Sequence, residues 1–397
     1  MSSNTVPEFL PCLDWRGADY ENAPLECLKM LAEKGSIART DLGYAVLTRD
    51  EARPVLRADL PISVYHIPEA VSPYLAERTK QPLLTRHGPD HTALRSMLTR
   101  VLRSRVIDGL RPRIRSIFEN LLAPVLARGE GELIADLFHP FPAQVLGPML
   151  GVPAEDIDEV SGWVTRSARW TNVLNPPEAL AGIETAWRAL ESYLLDLLKK
   201  RRQAPGEDVY SELIREMDGH DELEIVGIAM ELTRAGMDTT RRQLACTMYA
   251  LLQHPLEWQR LVDNPALVPQ AIEEGMRYAS ITHTVARQTL ADGQLSGLEV
   301  DAGTVFTVMA MGVNRDPAVF EDPDRFDVSR SPCPHLTFGF GSHACVGAPL
   351  ARMEMTEAFG LLARSVESME LTEEIERTHV SSGFVPTRLP VRLKLRS

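Results

Sequence analysis
The sequence predicts a mainly α-helical fold with small β-sheets, and three observations carry that expectation. Residues 116 to 204 show successive amphipathic patterns, with apolar clusters at Ile117, Phe118, Leu121 and Leu122 and again at Leu194, Leu195, Leu197 and Leu198. From Asp221 no proline intervenes until Pro255, which leaves room for one helix of some 45 to 50 Å at about 1.5 Å per residue. Strand-like patterns are short by comparison: Gly43-Tyr44-Ala45-Val46-Leu47 and the stretch from Gln294 to Met309.

Composition limits the function classes. Of the 397 residues, 44% are hydrophobic and 24% charged, and the formal net charge is -13. Such a surface repels nucleic acid. No stretch reaches the roughly 18 to 20 apolar residues that a membrane helix needs, and the start, Met1-Ser-Ser-Asn-Thr-Val-Pro7, has no charged region followed by an apolar run. Five widely spaced cysteines without a CxxC pair fit a reducing cytoplasm rather than a disulfide framework or a zinc site.

In chain order, a short helical pattern around Leu25 to Leu31 precedes the first strand pattern. Residues 61 to 89 carry Pro61, Pro68, Pro73, Pro82 and Pro89 with little periodicity and read as a long loop of the kind that serves as a lid. From Asp90 the pattern is helical. His91 and Arg95, four apart, share one face, a spacing that a solvated face also satisfies. Between Arg95 and Arg115 there are seven arginines (95, 100, 103, 105, 111, 113 and 115) against one acid, Asp108. That local positive field either steers an acidic partner or belongs to side chains that cap helices and cover apolar surface. Thr171 to Pro177 breaks the helical pattern, and Pro205 to Asp208 is a surface linker.

Asp221 opens the long helix, with Glu224 as its capping-box partner. Midway lies Ala235-Gly236-Met237-Asp238-Thr239-Thr240, whose glycine and threonine are a packing notch or a functional feature. Glu231, Arg234, Ala235, Asp238 and Thr239 follow one stripe. A charge on an enclosed stripe must be paired or hydrated. Two readings stand: Glu231 pairs with Arg234, shared with Asp238, or Arg234 receives a carboxylate or another polar group of a substrate. Further on, Glu274 and Arg277 have ion-pair spacing.

The stretch Phe338-Gly339-Phe340-Gly341-Ser342-His343-Ala344-Cys345-Val346-Gly347 is glycine-punctuated, so its backbone can turn sharply and approach a flat partner. Pro349 opens the following helix, which puts Cys345 near a helix N-terminus, where thiolate is favoured over thiol. A free cysteine is ordinarily a small buried hydrophobe. A phosphate cradle would carry a Gly-Lys-Ser/Thr ending or GxGxxG spacing, and the loop has neither. The remaining reading is single-thiolate ligation of a metal whose other positions a cofactor fills.

This stretch resembles the FGxGxHxCxG haem-binding signature of cytochromes P450 at every fixed position. The resemblance extends over nearly the whole chain, with His91-x-x-x-Arg95, the Ala235 to Thr240 motif and Glu274-x-x-Arg277 in the family's order. It implies a P450 fold, a long central helix over a buried haem, as one catalytic domain over 1–397. The small β-rich region would lie mainly at 30–60 and 285–310, with a C-terminal turn at Ser381 to Phe384. By resemblance Cys345 is the axial thiolate, with Phe338 near the sulfur and Gly347 in the cofactor loop. His91, Arg95, Arg287 and His343 hold haem propionates. Ala235 and Gly236 leave room beside the haem, while Asp238 and Thr239 deliver protons. Glu274 and Arg277 lock the meander from Asn314 to Phe326, and Glu231, Arg234, His283 and Phe384 are the candidate substrate contacts.

The implied activity is a soluble, cytoplasmic, bacterial-type monooxygenase that activates O2 on haem b to hydroxylate or epoxidise a small, polar or carboxylate-bearing secondary metabolite. Electrons would come from NAD(P)H through a reductase and a ferredoxin docking near Arg100, Arg103, Arg105, Arg111 and Arg113. The partners exclude nucleic acid and membrane. Two rivals remain: oxidative coupling without oxygen insertion, and a non-catalytic haem-thiolate sensor or ligand carrier.

Overall fold
Nine short strands lie among the described residues: β1 (Ile37–Thr40), β2 (Gly43–Val46), β3 (Glu130–Glu132), β4 (Val285–Gln288), β5 (Gly293–Leu295), β6 (Leu298–Val300), β7 (Val305–Val308), β8 (Val366–Leu371) and β9 (Pro390–Leu395). The computed structural model describes residues 10–58, 60, 69, 72–78, 83–102, 104–167, 177–375 and 385–396. Outside the strands the described residues are mainly helical, as the amphipathic patterns predict.

The largest sheet runs β1-β2-β7-β4 and brings the strands at residues 37–46 beside those at 285–308. β2 and β7 are parallel, whereas β4 pairs antiparallel with β7 and sets Arg287 opposite Phe306. The close approach of β2 to β7 needs glycine: Gly43 has φ +136°, and a β-carbon there would lie 2.3 Å from the Val305 carbonyl oxygen. One face of this sheet buries Tyr44, Val46, Phe306 and Val308 together with Leu336, and Phe340 packs against them. The sheet therefore supports the loop that leads to Cys345.

The central helix, Glu222–Gln253, has 32 residues, a length of about 48 Å. Asp221 caps it by accepting from the Leu223 N–H at 2.8 Å. The capping box does not close: the Glu224 carboxylate instead binds Arg86 at 2.7 Å and His220 at 3.0 Å. The helix packs against Pro140–Met149, Ile157–Ser167, Pro177–Gln203, Val268–Tyr278 and Ala348–Ser365. At Gly236 a β-carbon would come within 2.4 Å of Leu146, so this glycine lets the central helix press on Pro140–Met149. Around the helix Phe118, Phe138, Phe141, Trp187, Leu244, Met276 and Phe359 form one continuous core.

Within the proline-rich stretch 61–89, the structure has a helix at Pro73–Arg78 and a 3-10 turn at Leu83–Thr85, and the next helix starts at Gly88. Pro73 sits where a helix tolerates proline, its first position, and Leu75 and Ala76 are buried behind it. The stretch 294–309 is likewise not one strand. It folds as the β5–β6 hairpin, turning at Ser296 and Gly297 (φ 52° and 75°), followed by β7. Among the described residues, no helix is long and apolar enough to cross a membrane.

Candidate active site
The loop before Cys345 closes on itself. The Cys345 N–H donates to the Phe338 carbonyl at 2.8 Å, and Gly339 donates to Leu336 at 2.8 Å. Gly339 and Gly341 adopt φ +69° and +76°, and a β-carbon on Gly341 would lie 2.2 Å from the Leu56 carbonyl oxygen. The loop is thereby seated against the helix Arg49–Arg57. Gly347 is the N-cap of Ala348–Ser365, as Pro349 predicts. Cys345 is accessible at its surface yet closely surrounded. Burial pushes its thiol above the ordinary value, against the pull of the Gly347 and Ala348 N–H groups and of Arg95 and Arg352. The helix terminus alone does not outweigh that burial.

Basic side chains lie on this loop, on the helix Gly88–Val101 and on β4. His91 and His343 are both buried and stack with ring centroids 4.0 Å apart. Arg95 donates to the Ala344 carbonyl, one residue before the cysteine. Arg287 is 1% exposed, its Nε has no hydrogen-bond partner among the described residues, and burial alone pulls it down to about 10. Among the described residues no carboxylate pairs with Arg95 or Arg287. A buried guanidinium without an acid calls for an anion from outside the chain. An accessible sulfur flanked by such cations fits a flat metal macrocycle bearing two carboxylates.

Behind the loop, Glu274 and Arg277 form a fully buried two-pronged pair at 2.7 and 2.8 Å. Arg277 also donates to the carbonyls of Asn314, Pro323 and Arg325 at 3.0, 2.7 and 3.1 Å, and Glu274 accepts from the Asp327 N–H at 2.9 Å. One ion pair thus gathers the chain from 314 to 327. Beside the sulfur, Arg352 lies 4.5 Å over the Phe338 ring and is held by Glu273 at 2.7 and 2.9 Å.

On the central helix, Ala235 and Thr239 are exposed although the helix is buried on both sides of them. The Thr239 hydroxyl donates to the Ala235 carbonyl at 2.5 Å. Asp238 is 7% exposed and doubly held, one oxygen by Arg241 and the other by Arg242 Nε at 2.8 Å. Arg241 also reaches His139 Nδ1 at 3.1 Å.

The expected pair between Glu231 and Arg234 is not formed. Glu231 accepts from the Leu83 N–H at 2.5 Å and from the Leu84 N–H, and burial raises its carboxyl to about 7. Arg234 donates to Ser167 Oγ at 3.1 Å and lies 4.3 Å over the Trp187 ring, its pKa lowered by burial to about 10. Each has hydrogen-bond partners on a different neighbouring segment, and their mutual attraction only partly offsets the effect of burial on both. His283 is buried, which lowers its imidazole to about 4 and leaves it neutral. Phe384 lies outside the described residues.

The arginine-rich face is partly neutralised. Arg100 pairs with Glu216 at 2.7 Å, Arg111 with Glu357 at 2.5 Å and Arg115 with Glu119 at 3.0 Å. Arg113 is exposed, whereas Arg103 and the side chain of Arg105 lie outside the described residues.

Residues 158–395 match the family model described as "Cytochrome P450". The chain is 32% identical to luteothin monooxygenase of Streptomyces thioluteus, over 98% of each chain. The chain belongs to the cytochrome P450 family. It is 33% identical to the mycinamicin IV hydroxylase/epoxidase of Micromonospora griseorubida, over 79% of this chain and 80% of that one. The fold matches the crystal structure of P450BioI in complex with an acyl carrier protein ligated to hexadec-9Z-enoic acid, with TM-score 0.88 and 28% identity, over 95% of this chain and all of that one. As a P450 the protein is an oxidoreductase, and the family brings haem, O2 and an external electron supply.

Several residues of this P450 site escape sequence reasoning. Arg241 and Arg242, three and four positions after Asp238, carry a helical pairing signal. His139, Trp187, Ser167 and the Leu83 N–H carry none, since only the tertiary fold brings them to the central helix.

Proposed function
We propose that this P450 hydroxylates or epoxidises a small, carboxylate-bearing or otherwise polar secondary metabolite in a reducing cytoplasm, working as one catalytic domain. Haem b is the cofactor, and NAD(P)H supplies electrons through a reductase and a ferredoxin. The supporting observation is the juxtaposition on the central helix of accessible Ala235 and Thr239 with buried, arginine-held Asp238. A mere ligand carrier does not need a buried acid beside an accessible alcohol. Relatives named as a monooxygenase and as a hydroxylase/epoxidase support the same reading.

When bound, the haem supplies oxygen activation. The chain's own residues do the rest. Cys345 Sγ holds the metal, and Arg352 stacked on Phe338 covers the loop beside it. Arg95, Arg287, His91 and His343 take the propionates. Asp238 holds a proton drawn from solvent and passes it toward Thr239 Oγ1, whose bond to Ala235 must turn over for the transfer. Arg234, with no carboxylate partner among the described residues, receives the substrate's anionic group beside Trp187. Arg113 and its exposed neighbours receive the ferredoxin.

A substrate library screened for spin-state shifts in the haem absorption spectrum tests this reading, followed by turnover under labelled dioxygen. Labelled product from a carboxylate-bearing substrate is expected. Unlabelled product with loss of two hydrogens would assign oxidative coupling, and ligand binding without any product would assign the carrier.

A further inference from the structure
The Arg241 guanidinium faces three acceptors at once: Asp238 Oδ1, His139 Nδ1 at 3.1 Å and Thr165 Oγ1 at 3.5 Å. A guanidinium only donates, so His139 Nδ1 carries the lone pair and its proton sits on Nε2. Burial, and next to it the charge of Arg241, lower the imidazole pKa, while Asp238 and Asp158 oppose them. These are the charged groups that face His139, from the central helix and from Ile157–Ser167. The ring is therefore a neutral acceptor at neutral pH.

For Asp238 to take up a proton and turn toward Thr239, both of its arginines must release a carboxylate. Arg242 is 29% exposed and can turn to water, but Arg241 is only 15% exposed. A buried cation that loses its partner needs another acceptor. We propose that His139 is a positioning residue that holds Arg241 whenever Asp238 lets it go, and so sets how readily Asp238 passes protons. This rests on the reading of Asp238 as the proton-passing acid.

The test compares His139→Leu, His139→Asn and Asp238→Asn in the reconstituted holoenzyme, measuring hydrogen peroxide released per NAD(P)H consumed and the solvent isotope effect on turnover. Asparagine restores an acceptor near the Nδ1 position, and leucine does not. His139→Leu should raise peroxide release about five-fold, the size of one net hydrogen bond, and enlarge the isotope effect, with His139→Asn close to wild type. If His139→Leu behaves as wild type while Asp238→Asn uncouples, the proposal is overturned and the role of Asp238 stands. If Asp238→Asn is also without effect, the proton-passing reading falls and the proposal with it. Should His139→Leu fail to fold, His139→Gln, which moves the acceptor to the Nε2 position, replaces it. An independent readout is the titration of the His139 resonance in protein labelled at the imidazole carbon. Arg241→Gln should raise that pKa, and an unchanged titration would contradict the Arg241–His139 contact.

Discussion

Glu231 and Arg234 sit three residues apart on the central helix and turn their charges to different neighbours. Glu231 holds the backbone at Leu83, and Arg234 lies over Trp187 beside Ser167. Enclosed charges settle where hydrogen bonds satisfy them, and proximity along a helix is a weak attraction by comparison.

On the proposed reading Arg234, which has no carboxylate ion-pair partner among the described residues, receives the anionic group of the substrate. Arg234→Leu should weaken binding of a carboxylate substrate by about ten- to a hundred-fold, the range for one charged hydrogen bond, and leave the uncharged ester of that substrate much less affected. Titrating the spin-state shift with acid and ester checks it.

Glu231 gives a pH signature. Its folded-state pKa, about 7, lies above the ordinary glutamate value because of burial. Between those two values the folded state binds more protons than the unfolded one, so this group's contribution is present at low pH and lost as pH rises through about 7. Glu231→Gln keeps an acceptor for the Leu83 N–H and removes the titration. The melting temperature of the variant relative to wild type should thus rise from about pH 5 to about pH 8; a flat difference would contradict the assignment.

Removing Glu274 leaves the buried Arg277 without its carboxylate and frees the Asp327 N–H that Glu274 holds. Glu274→Ala should cost about 3 to 5 kcal/mol of stability, read by denaturant unfolding, and should lower the haem content of the purified protein. Arg115→Ala, which breaks a pair exposed on both sides, should change stability by less than about 1 kcal/mol.

Thr239→Ala removes the accessible hydroxyl next to Asp238. Peroxide release per NAD(P)H should increase and product yield should fall, with substrate affinity nearly unchanged, which is what the proposed role in proton transfer rather than binding requires. Unchanged coupling would remove Thr239 from the proton path.

The site was legible in the sequence where its determinants are local. The Asp221 cap, the glycine spacing around Cys345 and the Glu274-x-x-Arg277 pair each depend on residues a few positions apart. Where distant segments compete, the same reasoning failed. Glu224 has capping-box spacing, but its carboxylate is taken by Arg86, 138 residues away. The helical stripe through Glu231 and Arg234 identified the enclosed face without revealing that Leu83 and Trp187 meet it. His139 lies 102 residues from Arg241, and no pattern in either segment announces the other.

On the proposed reading Cys345, alone of the five cysteines, holds the haem iron. The most direct measurement is the carbon monoxide difference spectrum of the reduced holoprotein for Cys345→Ser, with Cys246→Ser as the buried-cysteine control. Loss of the thiolate-type Soret band in Cys345→Ser, with the band kept in Cys246→Ser, is the predicted result. A thiolate-type band that survives in Cys345→Ser would rule Cys345 out as the iron ligand.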